Sequence, residues 1–119
     1  MLDDGTSAIG VYAVYSASNV PLRLLVIDTT YFDGSGTRAS TSVSLTGLTT
    51  SAGTKKAKRL TAPNATSRSD QGAAVTIGGS TSFTSTCTRS GTQNFENVSV
   101  SGGAATVTLK ASEALIVYL

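Results

Sequence analysis

Residues 96–119 of the chain read ENVSVSGGAATVTLKASEALIVYL. Apolar residues alternate with polar ones through most of this stretch, which is the pattern of β-strands that bury one face. The Gly102-Gly103 pair is typical of a tight hairpin turn between two such strands. The stretch therefore predicts three strands, over residues 96–100, 104–110 and 113–119.

The pattern continues upstream, where Gly, Pro and Asn separate short apolar runs by about 8–12 residues, as in β-sandwiches. Residues 8–16, AIGVYAVYS, are apolar on both faces and predict a strand in the centre of a sheet. No stretch shows a convincing helical period. Further strands are predicted over residues 21–28, 38–47, 56–61 and 74–77, with a weaker one over 80–87. We predict an all-β protein, a single antiparallel β-sandwich of about eight strands, with residues 1–119 as one domain.

The composition is sufficient for a folded core and excludes several kinds of chemistry. Hydrophobic residues make up 39% of the 119 residues, charged residues make up 13%, and the net charge of +2 implies no strong overall field. The chain has no His, which excludes Ser-His-Asp and Cys-His catalysis within it and argues against a transition-metal site. Cys87 is the one cysteine, so no internal disulfide can form, and we expect it to be small and partly buried. No cofactor is expected.

The apolar runs are too short for a membrane span, which needs roughly 20 apolar residues, so no membrane partner is expected. The first ten residues, MLDDGTSAIG, lack the basic and apolar regions of a signal peptide. The last predicted strand runs to the final residue, which we expect of the C-terminus of a longer protein whose upstream part is absent.

Six segments, taken in order, resemble a known protein family. They are VYAVYS, PLRLLVIDTTYFDGSGTR, KRLTAP, VTIGGSTSF, ENVSV and ASEALIVYL, and together they cover nearly the whole chain. The order resembles the C-terminal β-sandwich domain of glycoside hydrolase family 79, the β-glucuronidase and heparanase-like enzymes, especially fungal and bacterial members.

The resemblance implies that this chain is not itself an enzyme. In that family, the catalytic glutamates belong to a (β/α)8 barrel upstream of the sandwich, so no catalytic residue can be assigned here. The resemblance further implies that the sandwich packs against the barrel of its parent chain and that the parent is secreted. A segment from before the barrel can add to the sandwich, which would leave an open sheet edge in this chain.

Residues 55–66, KKAKRLTAPNAT, begin with a basic run of four residues in five positions, and most of this run lies in the predicted strand over 56–61. Alternation places Lys56 and Lys58 on one face of that strand and Arg59 on the other. Lysines on an edge strand prevent edge-to-edge aggregation, which is our first interpretation. Contact with an acidic polysaccharide is the alternative. Nucleic acid is not expected as a partner, because no base-stacking aromatic residues are interleaved with these basic residues.

Aromatic residues offer a second candidate site. Tyr31 and Phe32 lie beside Asp33 and a Gly-rich turn, which is a suitable arrangement for stacking against a sugar. The alternative is that both rings cover the end of the sandwich or contact the barrel. The remaining tyrosines lie in apolar strands and are predicted to be buried: Tyr12, Tyr15 and Tyr118.

Two acidic residues and two sequons complete the candidates. Glu96 and Glu113 each open a strand, and we interpret them as ordinary surface acids rather than as the paired carboxylates of a glycosidase. Asn64 and Asn97 each begin an Asn-x-Ser/Thr tripeptide and are candidate glycosylation sites in a secreted parent.

These features together predict a non-catalytic accessory domain that stabilises a catalytic barrel. The second hypothesis is a carbohydrate-binding module for glycans that contain glucuronic acid. A third, weaker hypothesis is a β-protein that assembles through an open sheet edge.

Overall fold

The computed structural model describes residues 5–79 and 82–119, and these residues form an almost entirely β structure. A 3-10 helix at Ser69–Gln71 is the one helical element among them. The strands are β1 (Ile9–Tyr15), β2 (Pro21–Asp28), β3 (Ser40–Leu45), β4 (Ala52–Thr61), β5 (Thr76–Ile77), β6 (Ser82–Phe83), β7 (Arg89–Ser90), β8 (Glu96–Ser101), β9 (Ala105–Lys110) and β10 (Glu113–Tyr118). The all-β class is confirmed, with ten strands in the described residues where about eight were predicted.

All strand pairs are antiparallel. The large sheet has the order β1-β2-β10-β4-β5, and β8 pairs with the N-terminal half of β4. The small sheet consists of β3 and β9, and β6 and β7 form a separate hairpin. The turn between β8 and β9 connects the two sheets through a bridge between Ser101 and Ala104. The strand that comes last in the sequence, β10, therefore lies in the middle of the large sheet.

The core lies between the two sheets and is made from the inward residue of each alternating pair. Val26, Leu115 and Val117 come from the large sheet and are almost completely buried. Val107 and Leu109 of β9 meet them from the small sheet. Burying a side chain of this kind stabilises the fold by about 1.5–3 kcal/mol. The alternation in residues 96–119 thus contributes to both walls of the sandwich, through β8 and β10 in the large sheet and β9 in the small sheet.

Two expectations about strand position are wrong. The first strand, predicted to be central, lies at one edge of the large sheet and pairs with β2 alone. The strand with the basic run, predicted to be an edge, lies inside the sheet, because β4 pairs with β10 on one side and with β8 and β5 on the other. Lys56 and Lys58 therefore do not protect an open edge.

Among the described residues, β1 and β3 each have one edge without a partner strand. A cavity of about 420 Å³ opens between these two edges, and its apolar lining includes Val11, Leu24, Leu45 and Leu48. An extended segment placed there would find backbone donors and acceptors at both edges and apolar side chains between them. This arrangement agrees with the open edge that the family resemblance implies.

Candidate interaction surface

The outer face of the large sheet carries its outward side chains in three cross-strand rows, fixed by the strand register. The first row is Val14, Arg23, Tyr118, Lys56 and Asn97; the second is Tyr12, Leu25, Ile116 and Lys58; the third is Gly10, Ile27, Ala114, Leu60 and Ile77. The second and third rows are almost wholly apolar. A sheet face that contacts water normally alternates to polar residues, so this face differs from the usual solvated one.

Several large side chains on this face are exposed. Tyr12 and Val14 of β1 are 41% and 42% exposed, and Leu60 of β4 is 42% exposed. The prediction that Tyr12 and Tyr15 are buried is therefore wrong, because Tyr15 is also about half exposed. Tyr118 is half-buried on this same face. Contiguous exposed apolar side chains of this kind mark surfaces that contact another protein or domain.

One end of the face carries a group that we call the cation–aromatic cluster: Arg23, Lys56, Lys58, Phe95 and Tyr118. The Lys58 ammonium lies 4.9 Å from the ring centroid of Phe95 and 5.5 Å from that of Tyr118. The Arg23 guanidinium lies 5.4 Å from the Tyr118 centroid. The two rings meet edge to face at 5.9 Å. Lys56 donates a hydrogen bond to Asn97 Oδ1 at 2.7 Å.

On the opposite, inner face of β4, the cation is Arg59, and its partners are carboxylates rather than aromatic rings. Arg59 donates to both carboxylate oxygens of Glu96, at 2.8 and 2.9 Å, and to Glu113 Oε2 at 2.7 Å. The hydrogen bonds to Glu96 raise the pKa of the Arg59 guanidinium, against the effect of burial. Glu96 and Glu113 are thus brought together as the two partners of one arginine. This fits a structural role and not the pair of free carboxylates that glycoside hydrolysis requires.

Glu113 is the more buried of the two acids, at 6% exposure. Burial opposes its ionisation, but hydrogen bonds from the Lys110 backbone N–H at 3.0 Å and from Arg59 outweigh that effect. Thr61 adds a further hydrogen bond to the carboxylate at 3.1 Å. The net result is that the pKa of Glu113 is lowered, so the buried carboxylate stays ionised. Its interpretation as a surface acid is wrong.

Arg38 attaches the loop after β2 to the same end of the sandwich. Its guanidinium donates to the carbonyl oxygens of Ala111 at 2.7 Å and Ala62 at 3.0 Å. It also lies 5.2 Å from the ring centroid of Phe32, which is one of the predicted sugar-stacking residues. One face of the Phe32 ring is therefore occupied by this arginine.

The other two residues of that candidate site remain exposed. Tyr31 is 68% exposed. Asp33 Oδ1 accepts hydrogen bonds from the Ser35 backbone N–H and hydroxyl, both at 2.8 Å, and the backbone bond is the main cause of the lowered pKa of Asp33. These residues follow the end of β2 at Asp28, whereas Lys56 lies in register with Arg23 at the start of β2. The structure therefore separates Tyr31, Phe32 and Asp33 from the lysines.

Comparison with models of known protein families shows which family the chain belongs to. A family model described as the glycosyl hydrolase family 79 C-terminal beta domain matches residues 11–116. The chain belongs to this family. The resemblance found in the sequence is confirmed, and so is the assignment to a non-catalytic domain of a glycoside hydrolase.

A solved structure supports the same family. A 4-O-α-L-rhamnosyl-β-D-glucuronidase from Fusarium oxysporum, in complex with Rha-GlcA, is 44% identical to this chain and superposes with a TM-score of 0.89. The match covers 99% of this chain and 25% of that protein. The family 79 domain thus spans about a quarter of the length of its solved relative. A search among curated proteins finds no match.

Both sequon asparagines of the family 79 domain make side-chain hydrogen bonds. Asn64 Oδ1 accepts from the Thr66 backbone N–H at 3.1 Å and from the Ser67 hydroxyl at 3.0 Å. Asn97 is exposed on β8 and accepts from Lys56. Glycosylation at either position stays a prediction.

Cys87 is exposed, so its predicted partial burial is wrong. It lies in the turn between β6 and β7 with a φ of 59°. In the ranges 5–79 and 82–119, no cluster of three or more His, Cys, Asp or Glu side chains is placed to hold a metal ion. No helix in those ranges has the length and apolar character needed to cross a membrane.

Sequence reasoning missed part of the surface. Arg23 was not singled out, although it is the one charged residue inside the apolar run PLRLLVI. Alternation along β2 places Arg23 on the outer face, opposite the buried Leu24 and Val26. Its position beside Tyr118 depends on the pairing of β2 with β10, which no local pattern specifies.

Proposed function

We propose that this family 79 domain is a non-catalytic accessory domain that packs the outer face of its large sheet against the catalytic (β/α)8 barrel of its parent chain. The observation that supports this most directly is the pair of apolar rows, in which Tyr12 and Leu60 are exposed. Burying these side chains at a domain interface would stabilise both domains through the hydrophobic effect. The parent would be a secreted glycoside hydrolase that acts on a glycan containing glucuronic acid.

The size of the face suits this role. Strands lie about 4.8 Å apart and every second residue is about 6.8 Å further along, so five strands by three rows cover roughly 500 Å². Counting both partners gives about 1,000 Å², which lies within the 600–1,500 Å² typical of interfaces between domains of one chain.

The length of the solved relative supports a covering domain. That chain is about four times as long as its matched part, so it contains a further polypeptide that could occupy such a face. The open edges of β1 and β3, with the apolar cavity between them, provide a place for a segment from before the barrel. The large sheet face and this open side would then be covered by two parts of one parent chain.

The test uses the full-length parent protein with two matched double variants. Tyr12→Ser with Ile116→Ser removes apolar area from the proposed interface, and Ser42→Ala with Thr108→Ala changes the solvated face of the small sheet. We expect the first pair to lower the melting temperature and the second to leave it almost unchanged. Activity per folded molecule should stay normal in both. An unchanged melting temperature in the Tyr12/Ile116 variant would contradict the proposal.

A second candidate function is binding of an acidic glycan, which the exposure of Tyr31 beside Asp33 favours. Titration of the domain with glucuronoxylan and heparin-like oligosaccharides, followed by chemical-shift mapping, tests it directly. Saturable binding that Tyr31→Ala abolishes would support a carbohydrate-binding module. Perturbation at Lys56 and Lys58 would place the acidic glycan on the sheet face. No binding at millimolar ligand would reject this function.

A further inference from the structure

We propose that the surface covering the large sheet is acidic where it meets the cation–aromatic cluster, so that carboxylates of the catalytic domain pair with Arg23, Lys56 and Lys58. The inference rests on the proposed docking of this face and adds the chemistry of the partner. Docking would then combine apolar burial at one end of the face with ion pairs at the other.

The first argument is that these three cations have no acid partner in the described part of the chain. The ion pairs found there involve Arg38, Arg59 and Arg68. Arg59 follows Lys58 directly, and the chain supplies it with two carboxylates. Among the described residues, acids are thus supplied to the cation that faces the core and none to the three cations on the outer face.

The second argument is that the cations are held in place. Lys58 lies over both rings and Arg23 lies over Tyr118. Lys56 is fixed by its hydrogen bond to Asn97. A cation–π contact attracts the cation through the ring quadrupole and does not neutralise its charge. Groups that are already ordered lose less conformational entropy on binding, so these three cations suit a partner whose carboxylates have fixed positions.

The third argument concerns shape and excludes a small acidic sugar as the first choice. Small ligands prefer concave sites. Three concave sites in the described residues lie between β1 and β3, near Ser112, and between β8 and β9, and none of these three is lined by a member of the cluster. The rings of Tyr118 and Phe95 already carry cations on their faces, which leaves less ring surface for a sugar. A flat charged area continuous with apolar rows suits a protein surface better.

The direct test is zero-length carbodiimide cross-linking of the full-length parent, which joins lysine amines to carboxylates that they contact. We expect cross-links from Lys56 or Lys58 to Asp or Glu residues of the catalytic domain, identified by mass spectrometry. Lys110 lies on the outer face of the small sheet and serves as the internal control, with no such cross-link expected. Lys58→Arg should keep the charge and lose the Lys58 cross-link.

Charge reversal provides an independent measurement. Arg23→Glu with Lys58→Glu should raise the rate of proteolysis between the two domains by about tenfold or more at low salt, because like charges would then face each other. The increase should shrink at about 1 M salt, where the screening length falls to about 3 Å. Lys110→Glu is the matched control and should leave the rate unchanged.

Acetylation of the lysines separates failure of this inference from failure of the docking proposal. Protected lysines, with no carboxylate cross-link and no effect of charge reversal, would show that the face is covered by a surface that is not acidic. Lysines that react as freely as Lys110 would show that the face is uncovered, and both proposals would fall. Free lysines together with saturable heparin binding that Lys58→Glu abolishes would identify a polysaccharide as the occupant and overturn this inference.

Discussion

The two outer faces of the sandwich carry different kinds of residue, although both sheets contribute to one core. On the small sheet, the outward positions are Ser and Thr apart from Lys110 at the end of β9, and the Ser42 and Thr108 hydroxyls are 3.1 Å apart across the strand pair. On the large sheet, the corresponding positions include Tyr12, Leu25 and Ile116. The small sheet shows how this sequence builds a face for water. The large sheet departs from that solution, and the proposed docking of this face rests on the difference.

The charges follow the same division. Arg59 points inward on β4 and is surrounded by carboxylates, whereas Lys58 points outward and contacts aromatic rings. These two neighbouring residues of one strand thus differ in their partners. Arg59 is paired with two acids of this domain, whereas Lys58 has no acid partner among the described residues. The following experiments test how far this division extends.

The largest effect is expected from two neighbours on β10 that face opposite ways. Leu115→Ala should cost the isolated domain about 2–5 kcal/mol of unfolding free energy, because Leu115 is 1% exposed and its truncation leaves a cavity. Ile116→Ala on the outer face should cost about 1 kcal/mol or less, since that side chain is partly solvated when the domain is isolated from the catalytic barrel. Urea unfolding of both variants measures the difference. Equal losses would mean that the outer face is packed within this domain alone.

A smaller difference is expected between Arg59 and Lys58. Arg59→Met should cost about 2–3 kcal/mol, because it leaves the buried Glu113 carboxylate without its main cation. Lys58→Met keeps the contact with the rings and leaves none of the acids in the described residues unpaired, so we expect a change within about 0.5 kcal/mol. Thermal unfolding of the two variants is sufficient. A large loss in Lys58→Met would mean that Lys58 has an internal partner.

The paired interior should also produce a pH dependence that the outer face lacks. The folded-state pKa of Glu113 lies below its ordinary value of 4.5, so its contribution is complete above that pH and is lost as the pH falls through the folded pKa. Stability measured between pH 6 and about pH 3 should fall less steeply in Glu113→Gln than in the parent sequence. An identical slope would assign the acid sensitivity to other carboxylates.

The smallest effect is expected on the solvated face. Thr108→Val should change the unfolding free energy by no more than about 0.5 kcal/mol, since the Ser42 hydroxyl that it leaves can bond to water. Chemical denaturation measures this free energy, and we expect the values for Thr108→Val and the unchanged protein to agree within error. A clear loss would mean that this face also depends on its hydroxyl pairing.

The sequence predicted the strands better than it predicted their neighbours. The predicted bounds of β2 match the structure, and those of β8 to β10 agree within one residue at each end. These segments follow local alternation and turn signals, which act over a few residues. The positions of β1 and β4 in the sheet were wrong, because sheet order depends on contacts between residues far apart in sequence.

The candidate site was predictable only in part, for a related reason. Alternation correctly separated Lys58 from Arg59. An apolar run such as that containing Tyr12 has two explanations, burial at the centre of a sheet or cover by another domain, and local pattern cannot distinguish them. The meeting of Glu96 and Glu113 at Arg59 needed β8 and β10 to be placed on either side of β4. The order of the strands in the sheet comes from the folded structure and not from the local sequence.

The central position of β10 also affects how the domain reaches its native state during synthesis. Its residues pair with β2 on one side and β4 on the other, so these earlier strands lack their shared neighbour until β10 has left the ribosome. Such distant pairings make folding slow and leave strand edges open to aggregation in the meantime. A nascent chain that stops before Glu113 would therefore expose the edges of both β2 and β4, which makes it a natural substrate for chaperones and proteases.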